Sequence, residues 1–321
     1  VLHAVGVSMK AGINCLVTGG AGFIGSHIVD ALVAEGHRVT VFDNLSTGNR
    51  QQVNTEAQFF ECDIHGVELD TVFAEGHFDV VYHLAAQTDV MTSVTEPAED
   101  AHTNIVGGIA LLEHCRRHDV RKVIYSSSSA VYGEPDYLPI NEAHPIRPLC
   151  PYGVSKHTFE HYLDLYHAIY DLDYTVLRYA NAYGPRQDPH HEGGVIAIFA
   201  YKLLTGEPPT IYGDGQQTRD FVHVDDLVRA NIQCLNSGDN ACYNLGTGIE
   251  VTINELTSLL CEISGSDKNI EYEDGRRGEM RRLSLDSALA REVLNWTPIV
   301  GLRDGVQSVI DFFKENNGGI V

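Results

Sequence analysis

Short apolar runs alternate with stretches of helical spacing through the first half of the chain. The runs predict strands at 13–18, 38–42, 59–61, 78–83, 121–126 and 174–179, and the other stretches predict helices at 23–35, 105–118 and 151–170. Strands that are apolar throughout and alternate with helices are typical of a parallel sheet covered on both faces. Because parallel crossovers are right-handed, the pattern predicts an α/β fold with a doubly wound, Rossmann-type parallel sheet.

Glycine and proline become frequent after Gly184 and divide the chain into shorter pieces. Helical spacing returns at 225–235, 253–263, 286–294 and 302–315. This pattern predicts a smaller, mixed C-terminal domain built over one edge of the sheet. We expect a first domain at 9–184, with 216–247 returning to it, and a second domain at 185–321.

The composition limits the possible classes of function. Of 321 residues, 43% are hydrophobic, and no apolar run approaches the ~20 residues that cross a bilayer, so we expect no membrane span. With 22 basic and 44 acidic side chains the net charge is −22, which argues against a nucleic-acid surface. Seven cysteines without a C-x-x-C pair predict free thiols, no metal site and a reducing cytoplasm. The adjacent His190, His191 and Glu192 are expected to form a solvated loop.

A glycine-rich turn at 19–25 (GGAGFIG) directly follows the first predicted strand. Glycine at 19 allows a tight turn, at 22 the close approach of a pyrophosphate, and at 25 the packing of helix on strand. Asp43 follows at the spacing of an acid that accepts hydrogen bonds from the adenosine ribose, and since no arginine comes next, NAD is favoured over NADP. Asp63 is expected near the adenine. The alternative for both acids is a capping role at a turn or helix.

Tyr152 and Lys156 lie four residues apart near the start of a predicted helix, and therefore on one face of it. A phenol is a poor base at neutral pH, but an ammonium one turn away favours the phenolate and lowers the phenol pKa. The serine run 126–129 follows a predicted strand, whose carboxyl end is where such sheets bind ligands. The alternative is an ordinary amphipathic helix with a lysine that reaches solvent.

Further motifs complete an ordered series along the chain. The series consists of 19–25, 43–48 (DNLSTG), 83–86 (HLAA), 126–133, Tyr152 with Lys156, 178–187 (RYANAYGPRQ) and 213–226, which contains GDG and RDFVHVDD. From about residue 15 to the C-terminus it resembles the extended short-chain dehydrogenase/reductase superfamily, and most closely its UDP-glucose (UDP-galactose) 4-epimerases. The resemblance implies an isomerase that interconverts UDP-glucose and UDP-galactose with bound NAD.

The resemblance also implies a mechanism. NAD⁺ would stay bound while Tyr152 removes the proton of the sugar 4-hydroxyl and a hydride leaves C4. The 4-keto sugar would then turn and take the hydride back on its other face. Ser128 would bond the 4-oxygen and share in proton transfer, and Lys156 would hold the nicotinamide ribose and tune Tyr152.

Two sets of binding residues are implied in the same way. Those for the cofactor are Gly19, Gly22, Phe23, Ile24, Gly25, Asp43, Asn44, Ser46, Thr47, Gly48, Asp63, Ile64, Leu84, Ala85, Ala86, Gln87, Asn104, Ser126, Tyr152, Lys156 and Tyr179. Those for the UDP-sugar are Ser128, Ser129, Asn181, Val195, Arg219, Arg276, Glu279 and Leu283. Arg219 and Arg276 would bind the diphosphate, with a surface ion pair and a solvated basic run as the alternatives.

Rival reactions make different demands on these positions. Related 4,6-dehydratases carry Thr-Asp-Glu where this chain has Ser128, Ser129 and Ala130, and elimination of water needs that extra acid and base, so an isomerase is favoured. Leu283 stands where a tyrosine in some members excludes 2-acetamido sugars, so UDP-GlcNAc and UDP-GalNAc are expected to be accepted. The alternatives are a dehydratase or another NAD-dependent enzyme acting on nucleotide sugars, and a non-catalytic dinucleotide sensor.

Apolar helix faces near 97–118 and 151–170 predict a homodimer.

Overall fold

The fold is described by a computed structural model over residues 12–190, 194–267, 269–275 and 280–316. Its strands are β1 (Asn14–Thr18), β2 (Arg38–Asp43), β3 (Gln58–Glu61), β4 (Val80–His83), β5 (Lys122–Ser128), β6 (Asp173–Tyr179), β7 (Asn181–Tyr183), β8 (Thr210–Tyr212), β9 (Thr218–Arg219), β10 (Phe221–His223), β11 (Ala241–Leu245), β12 (Val251–Thr252) and β13 (Glu271–Glu273). Its helices are α1 (Phe23–Ala34), α2 (Glu68–Gly76), α3 (Val90–Thr95), α4 (Pro97–Ala101), α5 (Gly108–Arg117), α6 (Pro151–Tyr170), α7 (Val195–Thr205), α8 (Val224–Gln233), α9 (Ile253–Ser264), α10 (Ala288–Leu294) and α11 (Leu302–Glu315).

Seven strands form one sheet in the order β3-β2-β1-β4-β5-β6-β11. Every neighbouring pair in it is parallel. The chain runs outward from β1 through β2 to β3 and then returns to the other side of β1 with β4. This reversal of strand order is the point at which doubly wound sheets bind ligands, and it confirms the predicted fold class.

The sheet is covered on both faces because successive side chains of each strand point to opposite sides. On β1, Cys15 and Val17 join a hydrophobic cluster that includes Ile28 of α1. Leu16, between them, joins the cluster on the other face, together with Phe159 of α6. Continuous apolar character in the strands therefore reflects burial on both sides, as the sequence pattern indicates.

A third hydrophobic cluster lies among the later elements. Phe199 of α7, Leu256 of α9 and Phe313 of α11 belong to it, which gives the C-terminal part a core of its own. Within 216–247, strand β11 adds to the edge of the large sheet beside β6. The exact domain limits stay a prediction. Among the described residues, no helix has the length and apolar character needed to cross a membrane.

The helix predicted at 105–118 differs from the structure. A π-helical turn at His102–Gly107 occupies the start of this range and α5 follows it, while α4 precedes the turn. The wider turn contains Asn104, whose side chain hydrogen-bonds across to Gln87 and Ser155. Single π-turns of this kind are common at functional sites. Helix α7 is absent from the predicted helices, although the glycines and prolines of that region flank 195–205 rather than interrupt it.

Candidate active site

The predicted cofactor residues converge on one edge of the sheet, where its parallel strands end. Gly19 to Gly25 follow β1; Asn44, Ser46, Thr47 and Gly48 follow β2; Asp63 and Ile64 follow β3; Leu84, Ala85, Ala86 and Gln87 follow β4; Ser126 lies in β5 and Tyr179 ends β6. Because β1 and β4 are neighbours whose connections leave in opposite directions, a crevice is expected between these loops.

The three turn glycines meet three different surroundings. Gly19 has a φ of +70°, and a Cβ there would lie 2.7 Å from Ala85 N, so the turn excludes a side chain. A Cβ on Gly25 would lie 2.1 Å from Gly19 O, where helix and turn touch. A Cβ on Gly22 meets only Gly19 O, at 3.3 Å, and otherwise faces open space. Gly22 is thus the position with room for a ligand.

The N-terminus of α1 is suited to an anion. Its N-cap residue Gly22 makes no side-chain capping bond, and its first turn carries no acid. The backbone N–H groups and the positive end of the helix dipole are therefore available to a pyrophosphate. This geometry fits the phosphates of NAD.

Asp43 lies at the end of β2 and is buried. Its carboxylate accepts from Ala21 N at 2.9 Å and from Leu45 N at 2.8 Å, and burial raises its pKa. These bonds join the loop after β2 to the glycine turn. They correspond to the turn-capping role given above as the alternative for Asp43. Asp63 accepts from Asn44 Nδ2 at 2.8 Å, which places the ends of β2 and β3 together.

A buried polar cluster links the π-helical turn to the loop after β4. Asn104 Oδ1 accepts from Gln87 N at 2.8 Å, and Asn104 Nδ2 is within 3.1 Å of Gln87 O, Asp100 Oδ1 and Ser155 Oγ. Asp100 also accepts from Gln87 Nε2 at 3.1 Å. These bonds hold Gln87 and Asn104, both predicted cofactor residues, against the first turn of α6.

The predicted catalytic pair lies on α6. Lys156 is buried, and its Nζ donates to Ser126 O at 3.0 Å while lying 5.7 Å from the centre of the Tyr152 ring and 5.0 Å from that of Tyr125. Tyr152 itself is half-buried. The structure therefore brings the amine, the phenol and the end of β5 together.

Ser128 differs from the other serines of the run. Ser126, Ser127 and Ser129 are buried, whereas Ser128 is partly exposed. Its hydroxyl accepts from Ala130 N at 3.1 Å, which begins a short 3-10 turn at Ser129–Val131. Only Ser128 thus presents its hydroxyl to the surface of this edge.

Lys156 has an unusual electrostatic environment. Burial lowers its pKa to about 8, although the carboxylates of Asp100 and Glu160 act in the opposite direction. His83 packs nearby, and burial lowers its pKa to about 3, so its imidazole is neutral at pH 7. The lysine is therefore the cation of this site near neutral pH.

Residues predicted for the UDP-sugar come from the elements after β6. Asn181 begins β7, and its N–H donates to Asp220 O at 2.9 Å, which places it beside β10 and next to Arg219. Asn181 Oδ1 is buried without a hydrogen-bond partner among the described residues. A buried amide oxygen of this kind is expected to meet a ligand or a water.

The remaining residues of that set lie apart in the chain. Val195 is the first residue of α7. Leu283 is buried in the hydrophobic cluster that contains Tyr179. Arg276 and Glu279 lie outside the described residues, as do His191 and Glu192. Tyr179 lies beneath the site, with its hydroxyl 3.0 Å from Ser126 Oγ.

Most of these positions fall within a stretch that a family model recognises. Residues 15–246 match the NAD dependent epimerase/dehydratase family, which is well over half of the chain. The chain belongs to this family. Membership, together with relatives crystallised with NAD, confirms the predicted NAD dependence.

Family members of known name are similar over nearly their whole length. A putative UDP-glucose 4-epimerase of Methanocaldococcus jannaschii is 46% identical over 303 residues, covering 94% of this chain and 99% of that protein. The structure of UDP-glucose 4-epimerase from Thermotoga maritima with UDP-glucose matches with a TM-score of 0.93 at 46% identity, covering 95% of this chain and 100% of that one. The structure of Thermus thermophilus UDP-glucose 4-epimerase in complex with NAD matches with a TM-score of 0.89 at 42% identity, covering 94% of this chain and 98% of that one.

Two carboxylates near the predicted catalytic pair were missed at the level of sequence, as were the contacts of His83, which the sequence shows only as part of the motif 83–86. Asp100 and Glu160 are buried carboxylates that act on Lys156, and His83 donates or accepts one bond with Thr18 Oγ1 at 2.9 Å beneath the glycine turn. The charge of Lys156 is the signal that could have found the carboxylates, because a buried ammonium needs a counter-ion.

The glycine geometry yields a test with a matched pair of variants. Gly22→Ala should fold normally, but its NAD content after purification should be lower by ~10-fold or more, because the added methyl occupies the space of the pyrophosphate. Gly25→Ala should instead lower the melting temperature by ~5 °C or more, because its Cβ meets Gly19 O. Thermal unfolding and the NAD content of the purified proteins check both. Unchanged NAD in a folded Gly22→Ala protein would contradict the assignment.

Proposed function

We propose that this protein is an NAD-dependent UDP-hexose 4-epimerase, which interconverts UDP-glucose and UDP-galactose through transient oxidation at C4. The observation that carries the proposal is the position of Lys156 Nζ, between Ser126 O and the Tyr152 ring, at the ligand-binding edge of the sheet. The names of its full-length relatives point to the same reaction.

NAD would be held by the glycine turn, by Asp43 and by the loops after β3 and β4. When bound, it supplies the acceptor and donor of the hydride at the sugar C4. Lys156 would hold the nicotinamide ribose. Gln87 and Asn104 would support the cofactor from the loop that their mutual hydrogen bonds fix.

Tyr152 would be the general base for the sugar 4-hydroxyl. Its phenolate is stabilised by the ammonium of Lys156, whose charge acts strongly because the amine is buried. Returning the proton to the 4-oxygen of the other epimer regenerates the phenolate, so one group serves both directions.

Ser128 would bond the sugar 4-oxygen. Its oxygen accepts from Ala130 N, which leaves its own proton to be donated to the substrate. Ser129 is buried and Ala130 carries only a methyl group. No acid and base pair for elimination follows Ser128, and this favours an epimerase over a 4,6-dehydratase.

The nucleotide would lie against the later elements. Arg219 and Arg276 would pair with the diphosphate, Asn181 would hydrogen-bond it, and Val195 at the start of α7 would contact the uridine. Glu279 would bind the uridine ribose. Arg219 follows Thr218 on β9. Arg219 Nη1 donates to the carbonyl oxygen of Thr218 at 2.8 Å.

The activity can be measured without any added cofactor. The purified protein should convert UDP-galactose to UDP-glucose with no net NADH, and Tyr152→Phe should lower kcat by ~10²-fold or more while NAD stays bound. Chromatography of the nucleotide sugars checks the product. A lasting 4-keto-6-deoxy sugar would instead indicate a dehydratase, and binding without turnover, unaffected by Tyr152→Phe, would indicate a sensor.

Leu283 supports a second substrate class, the 2-acetamido sugars UDP-GlcNAc and UDP-GalNAc. Leucine at this buried position is smaller than the tyrosine of members that exclude them. Leu283→Tyr should therefore reduce kcat/KM for UDP-GlcNAc by ~10-fold or more and spare UDP-glucose, because the ring fills the space of the acetamido group. Equal losses with both sugars, measured in parallel, would count against Leu283 as the determinant.

A homodimer is supported by an apolar surface on adjoining helices. Val154, Leu165 and Ile169 are each about half exposed along one face of α6, and Met91 and Val94 are exposed on α3, which packs against α6. Such a patch on neighbouring helices is typical of an interface between subunits.

Leu165→Glu tests this interface, because it puts a charge into the apolar face. We expect light scattering to give the mass of one chain for this variant and of two for the wild type. Val67→Glu, the same kind of change at an exposed valine of another surface, should leave the dimer intact. A Leu165→Glu protein that stays dimeric would place the interface elsewhere.

A cytoplasmic location is supported by the cysteines. All seven are free thiols. Burial raises the pKa of Cys15 and of Cys234 to about 12, so these thiols stay protonated and unreactive.

A further inference from the structure

A buried carboxylate lies one helical turn beyond Lys156. The side-chain oxygens of Glu160 accept from Ser127 Oγ at 2.6 Å, from Arg178 Nε and Nη2 at 2.9 and 2.6 Å, and from His157 Nδ1 at 2.8 Å. Burial raises the pKa of Glu160, but Arg178 and His157 lower it to about 2, so it is ionised. Four hydrogen bonds from protein side chains saturate this carboxylate.

These bonds join three elements that carry the site. Ser127 and Arg178 are paired in register across β5 and β6, and Glu160 reaches both from α6. Ser127 stands between Ser126, whose carbonyl accepts from Lys156, and Ser128. Glu160 therefore fixes the end of β5 against the helix that bears Tyr152 and Lys156.

We propose that Glu160 is a positioning residue for the epimerisation. It sets the distance between the Ser128 hydroxyl, the Lys156 ammonium and the Tyr152 phenol by tying Ser127 to α6. This inference rests on the proposed function. The competing role is structural, a counter-ion for Arg178, and such a role needs no bond to Ser127.

Glu160 also acts on the catalytic pair by its charge. A helix rises ~1.5 Å per residue, so Glu160 is displaced along α6 by ~6 Å from Lys156 and by ~12 Å from Tyr152. Removing its charge therefore weakens the protonated state of Lys156 more than it changes Tyr152. Asp100, His83, the carbonyl of Ser126 and the rings of Tyr125 and Tyr152 also face the amine, and the substitution leaves their side chains in place.

Three variants separate positioning from stability. Ser127→Ala keeps the ion pair and should lower kcat for UDP-galactose by ~10-fold, and Glu160→Gln should lower it by ~10²-fold, both with KM within ~3-fold of wild type. Tyr132→Phe is the control, because Tyr132 OH accepts from Nη1 of the same Arg178 at 2.8 Å, whereas Glu160 accepts from Nε and Nη2. It should keep kcat within ~2-fold. Melting temperatures are measured for all three.

A second readout does not require turnover. Phenolate absorbance, taken as the difference between each protein and its Tyr152→Phe counterpart, should move to higher pH in Glu160→Gln, because the Lys156 ammonium is then less stable and supports the phenolate less. Buried tyrosines do not interfere, since burial raises the pKa of Tyr179 to about 12 and that of Tyr125 further.

The outcomes distinguish the two proposals. Wild-type kcat and an unshifted phenolate in Ser127→Ala and Glu160→Gln, with melting temperatures that fall as in Tyr132→Phe, would overturn the positioning role. A wild-type protein that does not epimerise UDP-galactose would refute the proposed function and with it the positioning role, whereas an active wild type with unaffected variants would refute the positioning role alone.

Discussion

The site depends on keeping one ammonium charged where water hardly reaches it. Lys156 is only 3% exposed, and burial alone would drive its amine toward the neutral form. A carbonyl of β5, two aromatic rings and the carboxylates of Asp100 and Glu160 oppose that tendency. Since these groups come from α4, β5 and α6, the charged state of Lys156 is a property of the assembled fold.

The same constraint explains why the neighbourhood of Lys156 is so fully hydrogen-bonded. An unpaired polar group in such a place costs roughly 1–3 kcal/mol, and an unpaired charge costs more. Asn104 bonds Gln87, Asp100 and Ser155, while Glu160 bonds Ser127, Arg178 and His157. The first network fixes the loop of Gln87, which is predicted to contact the cofactor, and the second fixes the serine run. The carboxylates of Asp100 and Glu160 thus both stabilise the Lys156 ammonium and hold the segments on either side of it.

Local spacing determines what could be predicted from the sequence. The glycine turn, Asp43 and the pair Tyr152 and Lys156 each depend on residues close together in the chain, and the structure brings them to the expected edge. Glu160 follows Lys156 by one turn and looks like any polar residue of a helix, since its partner Ser127 lies 33 residues away. The π-helical turn was invisible for a related reason: its residues fit an α-helix equally well, and only the bonds of Asn104 across to another element favour the wider turn.

A protein with a net charge of −22 has to bind the pyrophosphate of NAD against its overall field, and the glycine turn offers it a helix start whose first turn carries no acid. Helices α2, α8 and α9 carry Asp or Glu in their first turns, which neutralise the positive ends of their dipoles. Helices α1 and α7 have no acid there and no side-chain cap, a property that α5, α6 and α10 share, so an acid-free helix start permits an anion without selecting one. The overall charge of the chain therefore says little about its ligands, because a phosphate at a helix start interacts mainly with the nearest N–H groups, while distant carboxylates are screened by solvent and salt.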